Sequence, residues 1–163
     1  MLRVTPIGDR GILLTRRFSA PRPKVLDAMT RPEILRLWFY GPPGWRLDVC
    51  EVDLRKRGAY RYVWRGPGPD GEETSMGVSG VFRDLELPRV IAQTERFDEP
   101  WYPGQAVGTL VLEETADGGT SLSLSLLYES AEARDIALQS PMERGVAMNY
   151  DRLEALLAPE PQP

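Results

Sequence analysis

Glu95 and Gln93 are the residues from which chemistry is expected. They alternate in step with Ile91 and Phe97 along a β-rich stretch, which puts them on the apolar side of a strand. Asn149 likewise interrupts the apolar stripe of a C-terminal helical segment. A carboxyl facing a dry interior resists ionisation, and such a group could serve as a general acid or base. The competing reading is structural: Glu95 pairs with an arginine, Arg61 or Arg134, or the alternation is off by one residue. Pocket ion pairs perturb carboxyls without doing chemistry. Glu95 is therefore a candidate acid–base group, and no catalytic residue is assigned.

The remaining inventory excludes whole classes of function. The 163 residues contain no histidine, which rules out Ser-His-Asp and Cys-His centres and histidine metal ligation. Cys50 is the only cysteine, so neither an intrachain disulfide nor a thiolate zinc site can form. On a strand it reads as a small packed hydrophobe. Glu113-Glu114, Glu51 with Asp53, and Glu72-Glu73 lie near strand ends or turns and read as solvated surface. The glycines between Gly66 and Gly71 lack a following helix, so they make a turn and not a phosphate cradle. A net charge of −4 with interspersed signs gives no footprint for nucleic acid. Pro6, Gly8 and Asp9 break up any leader-like run, and no stretch approaches the roughly 20 apolar residues of a membrane span. No metal, cofactor or membrane partner is expected, and the default location is the cytoplasm.

The positioning elements follow from periodicity. Residues 1–10 read as a loose lead-in and 11–18 as a first strand. Ser19-Ala20-Pro21-Arg22-Pro23 starts a short helix, since proline is tolerated in a first turn, and Val25, Leu26, Ala28 and Met29 give it an apolar side. Arg31-Pro32 breaks it, a second short helix covers 33–38, and Gly41-Pro42-Pro43-Gly44 ends that one. Strands are expected at 45–54, 59–65, 76–85, 90–97, 107–113 and 121–128. Trp45, Leu47 and Val49 alternate against Arg46 and Asp48, while Tyr60, Tyr62 and Trp64 share one face. From 131 to 158 the period becomes helical, with Leu138, Met142, Val146, Asn149, Leu153 and Leu156 as one stripe and a kink at Pro141. Residues 159–163 read as a disordered tail.

Short turns force antiparallel pairing, and only the final helix is long enough to cover the sheet's apolar face. The expectation is an α+β helix-grip domain over 11–158. Its curved antiparallel sheet of about six to seven strands wraps a long C-terminal helix, with two short helices after the first strand. The residues between sheet and helix would be Trp38, Phe39, Trp45, Tyr60, Tyr62, Trp64, Met76, Phe82, Phe97, Met142 and Val146, with Gln93, Glu95 and Asn149 as polar contacts. They either wall a small-molecule site or simply fill the core.

The chain also resembles the C-terminal-domain-like proteins named after the activator of the heat-shock protein 90 ATPase. These belong to the larger superfamily of steroidogenic-regulatory and birch-pollen-allergen-like helix-grip proteins. The resemblance runs from about residue 12 to 157. It rests on Phe18-Ser19-Ala20-Pro21, Trp38-Phe39 with Pro42 and Gly44-Trp45, and Val52-Asp53-Leu54-Arg55 with Gly58-Ala59-Tyr60. Gln93-Thr94-Glu95, Gly119-Thr120, Arg134-Asp135, Met142-Glu143, Gly145 and Asp151-Arg152-Leu153 complete it. Two departures stand out: Lys56-Arg57 where the family usually has Pro-Gly, and Pro141 where it usually has Gly.

The resemblance implies a cavity between sheet and helix for a lipid, sterol, polyketide or aromatic compound. A binding module is the leading expectation. A cyclase- or hydrolase-type enzyme using Glu95 or a pocket tyrosine is the second. A co-chaperone-like stress protein acting on a heat-shock ATPase is the third, and it rests on the family name alone. An exposed sheet edge, or the loop carrying Trp101-Tyr102, could support a homodimer.

Overall fold

The computed structural model describes residues 1–159. Of the expected tail, 160–163 lie outside the described residues. The elements are β1 (Arg3–Ile7), β2 (Gly11–Phe18), α1 (Arg22–Thr30), α2 (Pro32–Trp38), β3 (Arg46–Val52), β4 (Ala59–Pro67), β5 (Glu73–Glu86), β6 (Val90–Phe97), β7 (Ala106–Glu114), β8 (Thr120–Leu127), α3 (Ala131–Gln139) and α4 (Met142–Leu157). One curved sheet of eight strands runs in the order β1-β2-β8-β7-β6-β5-β4-β3, every neighbour antiparallel. This is the helix-grip arrangement, with one strand more than expected. The extra strand is β1: residues read as a loose lead-in instead pair with β2, Val4 opposite Leu14 and Ile7 opposite Gly11. Gly8, at φ +60, makes the reversal between them in a region that a side chain would disfavour.

The C-terminal helix departs further from expectation. It is two helices, because Ser140 and Pro141 fall between α3 and α4 and Pro141 becomes the cap that starts α4. Proline lacks the N–H that would continue the ladder, yet fits a helix start. The expected kink is thus a break. The apolar stripe also sits differently: Leu138 and Leu156 face outward, while Tyr150 and Leu153 are buried, with Val146 and Leu157 partly so. Steps of four, three and four still give one helical face.

That face lies over the concave side of the sheet. The Tyr150 ring meets Phe18 edge-on at 5.6 Å between centroids and Trp38 at 6.1 Å. Polar ties fix α4 in place. Arg16, buried on β2, pairs with Asp151 at 2.5 Å, and Glu154 accepts hydrogen bonds from the Ser19 backbone N–H and hydroxyl. Arg152 donates to the Gly41 carbonyl at 2.6 Å and lies over the Tyr40 ring. Arg134 of α3 donates to the Gly8 and Gly11 carbonyls, tying that helix to the β1–β2 hairpin.

Three backbone irregularities shape the sheet. A register shift between Leu47 and Val49 interrupts the expected alternation of β3, so Leu47 and Cys50 are its buried residues. Arg57 takes φ +69, the left-handed conformation, where the family resemblance leads one to expect glycine. The β5–β6 ladder pairs Ser79 with Arg96 and Phe82 with Gln93 but lacks the pairs between. Thr94 fills that gap. Its Oγ1 accepts from the Val81 N–H at 2.9 Å, and its carbonyl accepts from the Tyr60 hydroxyl at 2.5 Å.

Gly80 makes this arrangement possible: a Cβ there would stand 1.9 Å from the Thr94 carbonyl oxygen and 2.7 Å from the Tyr60 ring. Gly80→Ala should therefore destabilise the fold by about 1–3 kcal/mol. Gly145→Ala, in α4 where an added methyl would meet nothing within 4 Å, should stabilise it by about 0.5–1 kcal/mol. Urea unfolding midpoints of the two variants test both signs.

Candidate functional site

Cross-strand pairing explains why the concave face has a hollow. Gly80 pairs with Tyr60 of β4, Ala106 pairs with Glu95 of β6, and Gly108 pairs with both Gln93 and Leu126. The room left at Gly80 is taken up by the Thr94 carbonyl, whereas Gly108 lines open space. An added Cβ at Gly108 would meet nothing nearer than 3.4 Å, and a cavity of about 230 Å³ remains beside it.

Strands β4 to β8 provide one wall of the cavity and helices the other. Tyr60, Tyr62 and Trp64 stand on β4, Val78 on β5, Ile91, Gln93, Glu95 and Phe97 on β6, Gly108 and Leu110 on β7, and Leu124 and Leu126 on β8. Met29 of α1, Leu35 and Trp38 of α2, Phe39 just beyond it, and Tyr150 of α4 close the other side. Interlocked rings hold this wall. Phe39 meets Tyr62 at 5.5 Å and Trp64 at 5.2 Å, both edge-on. The indole N–H groups are satisfied by backbone: Trp38 donates to the Ala28 carbonyl and Trp64 to that of Phe39.

One part of the wall is polar. The Tyr102 hydroxyl donates to Glu95 Oε1 at 2.8 Å. Burial pushes the Glu95 carboxyl above the usual carboxylate range, and the Tyr102 hydrogen bond offsets this only in part. Burial also raises the Tyr60, Tyr102 and Tyr128 phenols, and the nearby Glu95 charge adds to it. Neither expected arginine reaches Glu95. Arg61 is held by Asp98 through two bonds of 2.7 Å on the opposite face of the sheet, across Gly77. Arg134 is taken by Asp135 and by the hairpin carbonyls. The ion-pair reading of Glu95 is therefore overturned, and among the described residues no lysine or arginine lines the cavity.

The structure brings together Trp38, Phe39, Tyr60, Tyr62, Trp64, Gln93, Glu95 and Phe97, and leaves six other expected residues aside. Trp45 lies flat over Gly66, where an added Cβ would sit 2.3 Å from the indole. Met76 has the right parity but lies toward the end of β5 and is 45% exposed. Phe82 is buried behind Tyr60 at 5.7 Å and fills core. Met142 and Val146 pack against the second apolar cluster, around Ile12, Leu14 and Tyr128. Asn149 turns aside to accept from Arg152 at 3.1 Å.

Reading aromatics as the wall misses the aliphatic half: Met29, Leu35, Val78, Ile91, Leu110, Leu124 and Leu126. It also misses Gly108 and Tyr150. Glycines inside strand patterns were the available signal, since they mark close approach or missing volume. The Trp101-Tyr102 loop, considered for a dimer contact, folds inward. Tyr102 is buried and its ring meets Tyr128 edge-on at 5.0 Å.

Among the described residues no helix is long and apolar enough to cross a membrane. No curated protein matches the chain. Solved structures do. A protein from Rhodobacter sphaeroides is 29% identical, with 96% of this chain and 97% of that one covered and a TM-score of 0.86. One from Nitrosomonas europaea is 25% identical, with 94% and 97% covered and a TM-score of 0.75. The AHSA1-like protein from Aeromonas hydrophila shares the fold at 16% identity, with 94% and 98% covered and a TM-score of 0.71. Residues 19–158 match the family described as Activator of Hsp90 ATPase homolog 1-like protein, and the chain belongs to that family.

Proposed function

We propose that this protein binds a small hydrophobic compound in the cavity between its sheet and α4. The observation that carries this reading is an apolar hollow left unfilled beside a polar wall of Glu95 and Gln93, with Tyr102 hydrogen-bonded to Glu95. Pre-formed apolar space with a few convergent polar groups is the usual form of a ligand site. A cavity of about 230 Å³ suits a compound of one or two rings. For scale, an engineered cavity of roughly 150 Å³ takes a benzene ring.

Binding is favoured over catalysis by the poverty of the wall. Among the described residues Glu95 is its only acidic group, and the phenols around it are pushed away from titration. An acid–base pair with separated proton affinities at neutral pH is missing from this arrangement. The co-chaperone reading gains only the family description.

Ethylbenzene is a suitable probe. At ten times its Kd it should stabilise the native state by about 1.4 kcal/mol, a rise in Tm of about 3–6 °C. In Gly108→Val the new methyl groups enter the hollow, since a Cβ there meets the ends of Leu126 and Leu124 at 3.4 and 3.6 Å and the Gln93 carbonyl oxygen at 4.0 Å, all ordinary contacts. This variant should fold and lose the response. An equal rise in both proteins, or none in the wild type, would sink the cavity reading.

The polar wall also sets a pH dependence. Burial lifts the Glu95 carboxyl above its unfolded value, so the native state holds a proton that the unfolded chain has lost. That stabilisation is complete below the unfolded pKa of about 4.3 and is lost as pH rises through the folded value. Glu95→Gln keeps the shape and removes the titration. Its Tm should match the wild type near pH 4 and exceed it increasingly toward pH 8, by about 2–4 °C for each kcal/mol gained. Thermal melts across this range test the sign, and a variant less stable at pH 8 would contradict it.

A further inference from the structure

The proposed cavity has a chemical bias that follows from which of its polar atoms are already used. Glu95 Oε1 accepts from Tyr102, and among the described residues no protein group bonds its second oxygen. The Tyr60 hydroxyl is committed to the Thr94 carbonyl, and the Tyr102 hydroxyl to Glu95 itself. Both phenol protons are therefore spent inside the protein. The Gln93 amide bonds the Tyr60 hydroxyl. The donors left facing the hollow are the Tyr62 and Tyr150 hydroxyls, which hold no hydrogen bond among the described residues, and the Glu95 carboxyl when it carries its proton. Burial pushes both of these phenols further above their ordinary range, so the carboxyl is the donor lost first as pH rises.

The surroundings keep that proton in place. Tyr60 from β4, Tyr102 from the β6–β7 loop and Tyr128 just after β8 are the titratable groups around Glu95, and all three are neutral phenols. The helices contribute Met29, Leu35, Trp38 and Tyr150 to the wall and no charge. Arg61 is neutralised by Asp98 on the far face. A carboxyl in a dry, cation-free wall is cheaper to hold neutral than ionised.

Resting on the reading of this hollow as a ligand site, we infer that it selects uncharged ring compounds bearing a hydrogen-bond acceptor, such as a ketone, aldehyde or amide oxygen, which takes a hydrogen bond from the Glu95 carboxyl. A carboxylate ligand would have to shed its water in a wall whose described residues offer no cation to pair it. An ammonium ligand would require Glu95 to ionise and both charges to be desolvated together.

Isothermal titration calorimetry with acetophenone, ethylbenzene and benzylamine at pH 5 to 9 tests this. Ethylbenzene is the more hydrophobic, so the reading is the ratio of acetophenone to ethylbenzene affinity. In the wild type that ratio should be highest at low pH and fall as pH rises. Glu95→Gln, whose amide can still donate, should keep the ratio and lose its pH dependence. Glu95→Leu should lower the ratio about 3- to 10-fold, the worth of one neutral hydrogen bond, with ethylbenzene affinity kept. If that variant fails to fold, the pH dependence of the wild type against Glu95→Gln still decides. A wild-type ratio that does not change with pH, or benzylamine as the tightest ligand at pH 5, would overturn the inference while leaving the cavity intact. Failure of all three compounds to bind would remove the cavity reading itself.

Discussion

Gly108 stands on the concave face where a covered sheet would ordinarily be packed shut, and its missing side chain leaves the interior of this protein hollow. A well-packed core fills its space to crystal-like density. Here the rings of β4 and α2 stand around the gap, braced edge-to-face against one another, and cannot collapse into it. The polar ties of α4 act in the same direction. Arg16 to Asp151, Ser19 to Glu154 and Arg152 to Gly41 fix the helix at a set height above the strands. Without them, Tyr150 and Leu153 could settle into the space that Gly108 leaves.

A second glycine shapes the polar wall. Gly80 lets β5 approach Thr94 so closely that the regular ladder opens, and Tyr60 supplies the hydrogen bond that the backbone no longer does. Glu95 stands directly beside this opening, held among the described residues by Tyr102 alone. An uncompensated carboxyl in such a place works against stability, and strain of this kind concentrates where function needs it. The packing defect and the buried acid are parts of one local arrangement.

How much of this was legible in the sequence depended on whether the pattern was local. The strand at 90–97 and the helices near 22–38 could be read because alternation and proline punctuation act over a few residues. Glu95 and Gln93 were placed on the correct face by the same alternation. The β1 strand was not legible: Pro6 and a short polar run look like a lead-in until β2 is there to pair with. Val146 and Leu153 of the α4 stripe were read correctly, but Asn149 and Leu156 were one step off from Tyr150 and Leu157. Tyr150 carries both apolar and polar character, and Leu156 looks buried by composition alone. The partner of Glu95 was the hardest question. Arg61 and Arg134 were reasonable suitors, but only three-dimensional placement gives one to Asp98 and the other to carbonyl oxygens. Aromatic residues were overweighted in the expected wall, because their size draws the eye while the hollow depends on a residue with no side chain.

The strand order leaves β1 and β3 at the two margins of the sheet. Open margins invite other chains to add on as further strands, the route to edge-to-edge aggregation. Both are blunted here by different means. β1 is five residues long and carries Pro6, which has no amide proton to offer a newcomer. β3 is interrupted by its register shift and carries the outward charges of Arg46, Asp48 and Glu51. A sheet whose two rims stay unpaired is thus discouraged from polymerising along them.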